Sequence, residues 1–87
     1  MELELNRNSY LIMGILRSKN AFDKIRGLTV NEIQELEMSS KPNTIYKRVK
    51  EMETLGFVHE GLRAGKAKTY FLTDIGCDML PKRKENV

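Results

Sequence analysis

The run from Ser40 to Thr73 leaves this chain few ways to fold. Pro42 can sit in the first turn of a helix, where its missing N–H costs nothing, and Ser40 precedes it as an N-cap. Ile45, Val49 and Met52 then follow at spacings of four and three, which lines them up on one inward ridge. The opposite side carries Lys41, Asn43, Thr44, Lys47 and Lys50, flanked by Tyr46 and Arg48. Gly56 stops the helix. Two strand-like runs come next, Phe57–Leu62 and Lys68–Leu72, joined by the basic tip Arg63-Ala64-Gly65-Lys66-Ala67. Gly61 and Gly65 permit the chain to turn, and alternation sends Tyr70 and Leu72 to one face and Phe71 to the other. The unit is therefore a positively decorated helix, a glycine stop and a hairpin with a cationic tip.

The remaining elements are shorter. A first helix starts near Asn6 or Asn8 and ends near Arg17–Asn20. It carries Tyr10, Leu11, Ile12, Met13, Ile15 and Leu16, apolar nearly all the way round, so a second face needs cover from elsewhere. Residues 19–28 form a connection with Phe22, Ile25 and Leu28 as apolar anchors and Gly27 at the end of a turn. Thr29-Val30-Asn31-Glu32 is a capping box, and Val30, Ile33 and Leu36 give the apolar side of a second helix ending near Met38. Thr73 caps a last helix over Asp74–Leu80, with Ile75, Met79 and Leu80 turned inward, and Pro81 ends it. The fold class expected is α+β, mainly α, with one domain over residues 1–80 and a basic tail over 81–87.

An 87-residue chain hides only about 60% of its unfolded surface, enough for one core and little room for a catalytic cleft. The net charge of +3 is unevenly placed: residues 1–40 carry five Lys/Arg against six Asp/Glu, and residues 41–87 carry ten against six. That asymmetry points to a basic face and a polyanionic partner. No apolar run approaches the roughly 20 residues that span a bilayer. The acidic start Met-Glu-Leu-Glu-Leu lacks a signal-peptide flank, and the lone Cys77 cannot form an internal disulfide, so a reducing cytoplasm is expected.

Catalysis finds no support. His59, the one histidine, lies on a strand with no nucleophile or metal-ligand spacing around it. Gly61-Leu62-Arg63-Ala64-Gly65-Lys66-Ala67 is one residue too short for a phosphate-binding loop and has Ala67 where Ser or Thr would hold magnesium. Cys77 fits a half-buried place in the last helix, and Met13, Met38, Met52 and Met79 sit at core spacing. No residue pattern marks a metal, a cofactor or a small-molecule effector.

The order helix, helix, helix, hairpin, helix resembles the winged helix-turn-helix, and four segments resemble the MarR and PadR groups of bacterial regulators. Leu28–Ile33 is similar to the start of their second helix, and Asn43–Glu53 to their recognition helix. Gly56-Phe57-Val58 is similar to their exit into the wing, and Tyr70-Phe71-Leu72-Thr73-Asp74-Ile75-Gly76 to their closing Tyr-x-Leu-Thr-x-x-Gly. The long C-terminal helices that dimerise many such regulators have no counterpart. The resemblance implies a three-helix core, a two-stranded wing, a short C-terminal helix, and binding of double-stranded DNA in transcriptional control.

A helix seated in the major groove reads bases from its N-terminal half. Asn43, Thr44 and Lys47 are thus the expected base readers, because Asn pairs with adenine, Thr touches a thymine methyl and Lys reaches guanine. Ser40 and Lys41 are expected at phosphate near the helix start. Arg48 and Lys50 would meet phosphate or lie against the domain, and Tyr46 would stack on sugar or cover an apolar edge. Arg63, Lys66 and Lys68 on the wing would grip backbone or minor groove. A homodimer is expected to pair through the first and last helices, with Leu5, Tyr10, Met13 and Phe71 at the contact and Leu3 beside them. The competing readings are a plasmid or phage replication or maintenance factor, and a winged helix that docks proteins.

Overall fold

The computed structural model describes residues 7–80. Its elements run α1 (Arg7–Ser18), β1 (Leu28–Thr29), α2 (Val30–Glu37), α3 (Pro42–Thr54), β2 (Val58–Glu60), β3 (Thr69–Leu72) and α4 (Asp74–Asp78). Leu3, Leu5, the Asn6 cap, the Pro81 stop and the basic tail lie outside the described residues.

The core forms where the inward ridges of three helices meet the inner face of a small sheet. Ile12, Met13 and Leu16 of α1, Ile33 of α2, and Ile45, Val49 and Met52 of α3 are fully buried together with Val58, Tyr70 and Leu72. Met13 is therefore a core residue, sealed from any partner, and its place among the dimer contacts is overturned. Met38 and Met79 depart from core spacing in the other direction. Met38 ends α2 in the left-handed region at φ 67° and is 82% exposed, while Met79 follows α4 on its outer side.

Two helices stop by the same device. After α1, Asn20 takes φ 55°, its N–H donates to the Arg17 carbonyl at 3.0 Å, and the Ala21 N–H donates to the Leu16 carbonyl at 2.9 Å. After α3, Gly56 takes φ 83°, its N–H donates to Glu53 at 3.0 Å, and the Phe57 N–H donates to Met52 at 2.9 Å. Both are Schellman endings, in which a left-handed residue lets the chain reverse while the last carbonyls stay bonded. The first ending drives Ala21 into the core, where its carbonyl accepts from the Leu72 N–H at 2.7 Å. Ala21 is thus an anchor of the connection, together with Leu28 at the core margin; Phe22 and Ile25 are exposed.

The expected two-stranded wing has a third member. β1 pairs antiparallel with β3 (Leu28 opposite Tyr70, Thr29 opposite Thr69), and β2 pairs with the other edge of β3 (Val58–Leu72, His59–Phe71, Glu60–Tyr70). Thr69 becomes a buried polar pivot, its hydroxyl donating to the Leu62 carbonyl at 2.5 Å. Gly27 and Gly61 crowd it so closely that a Cβ on either would stand 2.8 Å from Thr69 Oγ1. Neither glycine has a positive φ, so close approach of backbone, not turning, explains both.

Other local expectations hold with adjusted edges. The capping box forms as read, Glu32 N–H donating to Thr29 Oγ1 at 3.1 Å and Thr29 N–H to Glu32 Oε1 at 2.9 Å. Leu36, however, is 44% exposed, because α2 turns only Ile33 fully inward. Thr73 caps α4 by accepting from the Gly76 N–H at 3.0 Å, but the helix closes at Asp78. One short turn presents one face, so Leu80 is buried while Ile75 and Met79 stay exposed.

Two glycine substitutions are expected to diverge. Gly61→Ala places a Cβ 2.7 Å from the Lys24 carbonyl and should destabilise by about 1–3 kcal/mol. Gly14→Ala, within α1 and with open space around it, should stabilise by up to about 1 kcal/mol. Urea unfolding followed by circular dichroism measures both.

Candidate nucleic-acid interface

The outward side of α3 follows from its inward one. With Ile45, Val49 and Met52 buried, helical spacing sets Asn43, Tyr46, Lys47 and Lys50 along an opposite ridge. Asn43, Tyr46 and Lys47 are exposed, Thr44 is half-buried beside them, and Lys41 is exposed at the helix start. Lys41, not Ser40, is the N-cap residue, with Pro42 in the first turn. No side chain caps this end; Pro42 has no N–H and the Thr44 and Ile45 N–H groups donate to the Lys41 carbonyl, so what the 13-residue helix offers an anion here is the Asn43 amide and its positive dipole end.

Ser40 is occupied elsewhere. Its hydroxyl accepts from Asn8 Nδ2 at 3.4 Å, and its N–H donates to Glu37 Oε2 at 2.7 Å. Glu37 also takes a hydrogen bond from the Ser39 hydroxyl, and these bonds, led by Ser39, hold its carboxyl below the usual range. Ser40 thus fixes the α2–α3 turn to α1, and Lys41 is the exposed residue at the start of α3.

The cations of α3 and the wing divide into two groups. Arg48 Nη1 pairs with Glu51 Oε1 at 2.8 Å, Lys50 Nζ with Glu53 Oε1 at 2.5 Å, and Lys68 Nζ with Glu60 Oε1 at 3.3 Å. Glu53 in turn raises the Lys50 pKa. Lys41, Lys47, Arg63 and Lys66 have no ion pair among the described residues. Arg63 and Lys66 stand at the wing tip, where Ala64 and Ala67 exchange N–H···O bonds of 2.9 and 3.1 Å around a tight turn. The turn leaves both side chains exposed.

Between α3 and the wing lies an open cleft of about 280 Å³ lined by Thr29, Val30, Asn31, Tyr46, Ala67, Lys68 and Tyr70. Tyr46 forms part of its wall and is 48% exposed. Asn31 was not singled out from sequence; the capping box, which sets it on the exposed first turn of α2, is the signal that marks it. Glu60 was missed as well, since nothing in its neighbours predicts that it bridges Lys68 and, at 4.0 Å, Lys50.

On the other flank, α1 packs against α4 and leaves Tyr10, Leu11, Ile75 and Met79 exposed. Phe71 is half-buried on the outer face of the sheet, its ring centroid 6.0 Å from that of His59. Burial raises the Cys77 thiol pKa, reinforced by Asp74, which keeps it a poor nucleophile near neutral pH. Among the described residues no cluster of three metal-ligating side chains occurs, and no helix is long and apolar enough to cross a membrane.

No protein-family model matches the sequence. The chain is 24% identical over 78 residues to the DNA-binding protein TubR of Clostridium botulinum C phage, spanning 90% of this chain and 95% of that protein. TubR from Bacillus megaterium pBM400 superposes at a TM-score of 0.74 with 20% identity, over 86% of this chain and 81% of that one. The fold is a winged helix. MepR of S. aureus, in a structure with DNA, superposes at 0.70 with 18% identity over 85% of this chain and 57% of its own. The PcaV transcriptional regulator of Streptomyces coelicolor gives the same score at 20% identity, over 86% of this chain and half of PcaV. At these identities the likeness is one of fold.

Tyr70 gives the interface a stability test. Its hydroxyl is buried beneath α3 and the wing with no hydrogen-bond partner among the described residues, and burial raises its pKa. Tyr70→Phe should leave stability unchanged or raise it by about 1 kcal/mol, because an unmade buried hydrogen bond costs on that scale. Thermal unfolding measures it; a loss of stability beyond about 1 kcal/mol would reveal a partner for the hydroxyl.

Proposed function

We propose that this protein binds double-stranded DNA, with α3 in the major groove and the wing on the adjacent backbone or minor groove. The observation that carries the reading is that the outer side of α3 and the wing tip, the parts a winged helix presents to a duplex, each carry two cations without an ion pair among the described residues. Lys41 and Lys47 stand on the exposed side of α3 and Arg63 and Lys66 at the wing tip, within a winged helix. Asn43, Thr44 and Lys47 supply base contacts, and Lys41, Arg63 and Lys66 supply phosphate contacts, with Tyr46 packing against sugar. Arg48, Lys50 and Lys68 contribute only by leaving their carboxylates.

Two jobs fit this surface. One is control of transcription at a specific operator. The other is replication or maintenance of a phage or plasmid, and the relationship to a DNA-binding protein of a phage, over nearly the full length of both chains, supports it. Both need site recognition repeated along DNA, which a homodimer provides by presenting two recognition helices to half-sites roughly 34–36 Å apart. The exposed apolar residues of α1 and α4 (Tyr10, Leu11, Ile75 and Met79) are the proposed dimer contact. Phe71, on the sheet's outer face, extends it.

Fluorescence anisotropy against DNA flanking the protein's own coding sequence, with a scrambled duplex as control, tests the reading. Preference for the native sequence, lost in Lys47→Ala by about 1–3 kcal/mol, is the expected result. Equal binding to both duplexes would assign a non-specific architectural role, and no binding at low salt would favour docking to protein. Sedimentation velocity should show a dimer at tens of micromolar that Leu11→Glu converts to monomer; a wild-type monomer would remove the paired-helix arrangement.

A further inference from the structure

Among the described residues, Glu60 is an acidic side chain of the wing that pairs with Lys68 and also reaches toward Lys50 of α3, whose own closer partner is Glu53. It shares the inner face of β2 with Val58, directly opposite Tyr70, so it projects toward α3 and away from the outer face where His59 lies. There Glu60 Oε1 stands 3.3 Å from Lys68 Nζ and 4.0 Å from Lys50 Nζ. Lys68 also lines the cleft between α3 and the wing. The three groups are between a third and a half exposed, so the bridge exchanges with solvent and with any incoming anion.

We infer that Glu60 is an internal competitor for DNA, a positioning residue that holds Lys68 back from phosphate. The inference rests on the DNA-binding reading above. Phosphate and carboxylate offer the same charge-assisted hydrogen bonds to an ammonium group, so the two cannot both saturate it. A duplex lying across α3 and the wing brings phosphate toward Lys68 while Glu60 remains beside it. Seating the wing therefore requires Lys68 to leave Glu60 or to forgo the phosphate. Duplexes whose backbone closely follows the wing draw the lysine away, and loosely fitting ones do not. Glu60 thereby weakens non-specific binding more than specific binding.

The test compares wild type with Glu60→Gln, Glu60→Asp and Asp78→Asn on labelled native and scrambled duplexes between about 50 and 200 mM salt. Asp78→Asn makes the same charge change on α4, which packs against α1. Circular dichroism confirms that each variant is folded. Glu60→Gln should bind scrambled DNA roughly two- to fivefold more tightly, the scale of one surface ion pair, with a smaller gain on native DNA. Its salt slope should steepen by about one, as the freed Lys68 releases a counterion. Glu60→Asp should stay near wild type, and Asp78→Asn should change affinity less than Glu60→Gln with an unaltered slope. If Glu60→Gln matches Asp78→Asn in affinity and slope, or binds more weakly than wild type, the competitor role is overturned while DNA binding stands. If no protein binds either duplex at the lowest salt, the DNA reading itself falls, and the inference with it.

Discussion

The seating of α3 on the inner face of the sheet is the contact on which the rest depends. Ile45, Val49 and Met52 must all be buried against α1, α2, Val58 and Tyr70 for the helix to keep one rotation about its axis. That rotation decides which residues stand on the outward ridge. A turn of one residue, about 100°, would replace Asn43 and Lys47 by buried or half-buried neighbours. The Schellman ending at Gly56 then converts the helix axis into a strand direction, and its hydrogen bonds to Glu53 and Met52 set the wing at a defined angle. Helix α3 and the wing are thereby joined directly through the hydrogen bonds of that ending.

The second support is polar. Thr69, almost fully buried, ties Leu62 to the sheet, and Lys24 accepts from the Leu62 N–H at 2.9 Å. The connection between α1 and α2 is thus laced to the base of the wing. Gly27 and Gly61 permit that approach because nothing larger fits beside Thr69. Positive charge at the wing tip accordingly rests on a base held by backbone hydrogen bonds, while the Arg63 and Lys66 side chains stay exposed.

Much of this was legible from the residues. The Thr29–Glu32 box, Pro42 in the first turn of α3 and the Ile45-Val49-Met52 ridge each encode local structure that needs no distant partner. Tyr70, Phe71 and Leu72 alternate as read. What stayed hidden depends on contacts made far along the chain. Two residues, Leu28 and Thr29, carry no strand signal until β3 lies beside them. Ala21 reads as a loop residue because its burial comes from the turn at Asn20. Met13 and Tyr10 looked equivalent on an apolar helix, and only the positions of α2, α3 and β3 separate core from surface. Among the site residues, the charge pattern could not sort Lys47 from Lys50 or Arg48, whose carboxylate partners lie three residues on.

On the proposed reading, DNA meets the outward ridge of α3 and the wing tip together. Amide chemical-shift mapping by NMR during titration with a short duplex decides it. The largest changes are expected at Lys41, Asn43, Thr44, Lys47, Arg63 and Lys66, with α4 and the outer face of α1 little altered. Changes concentrated on α1 and α4, with the α3 ridge and wing tip silent, would contradict it.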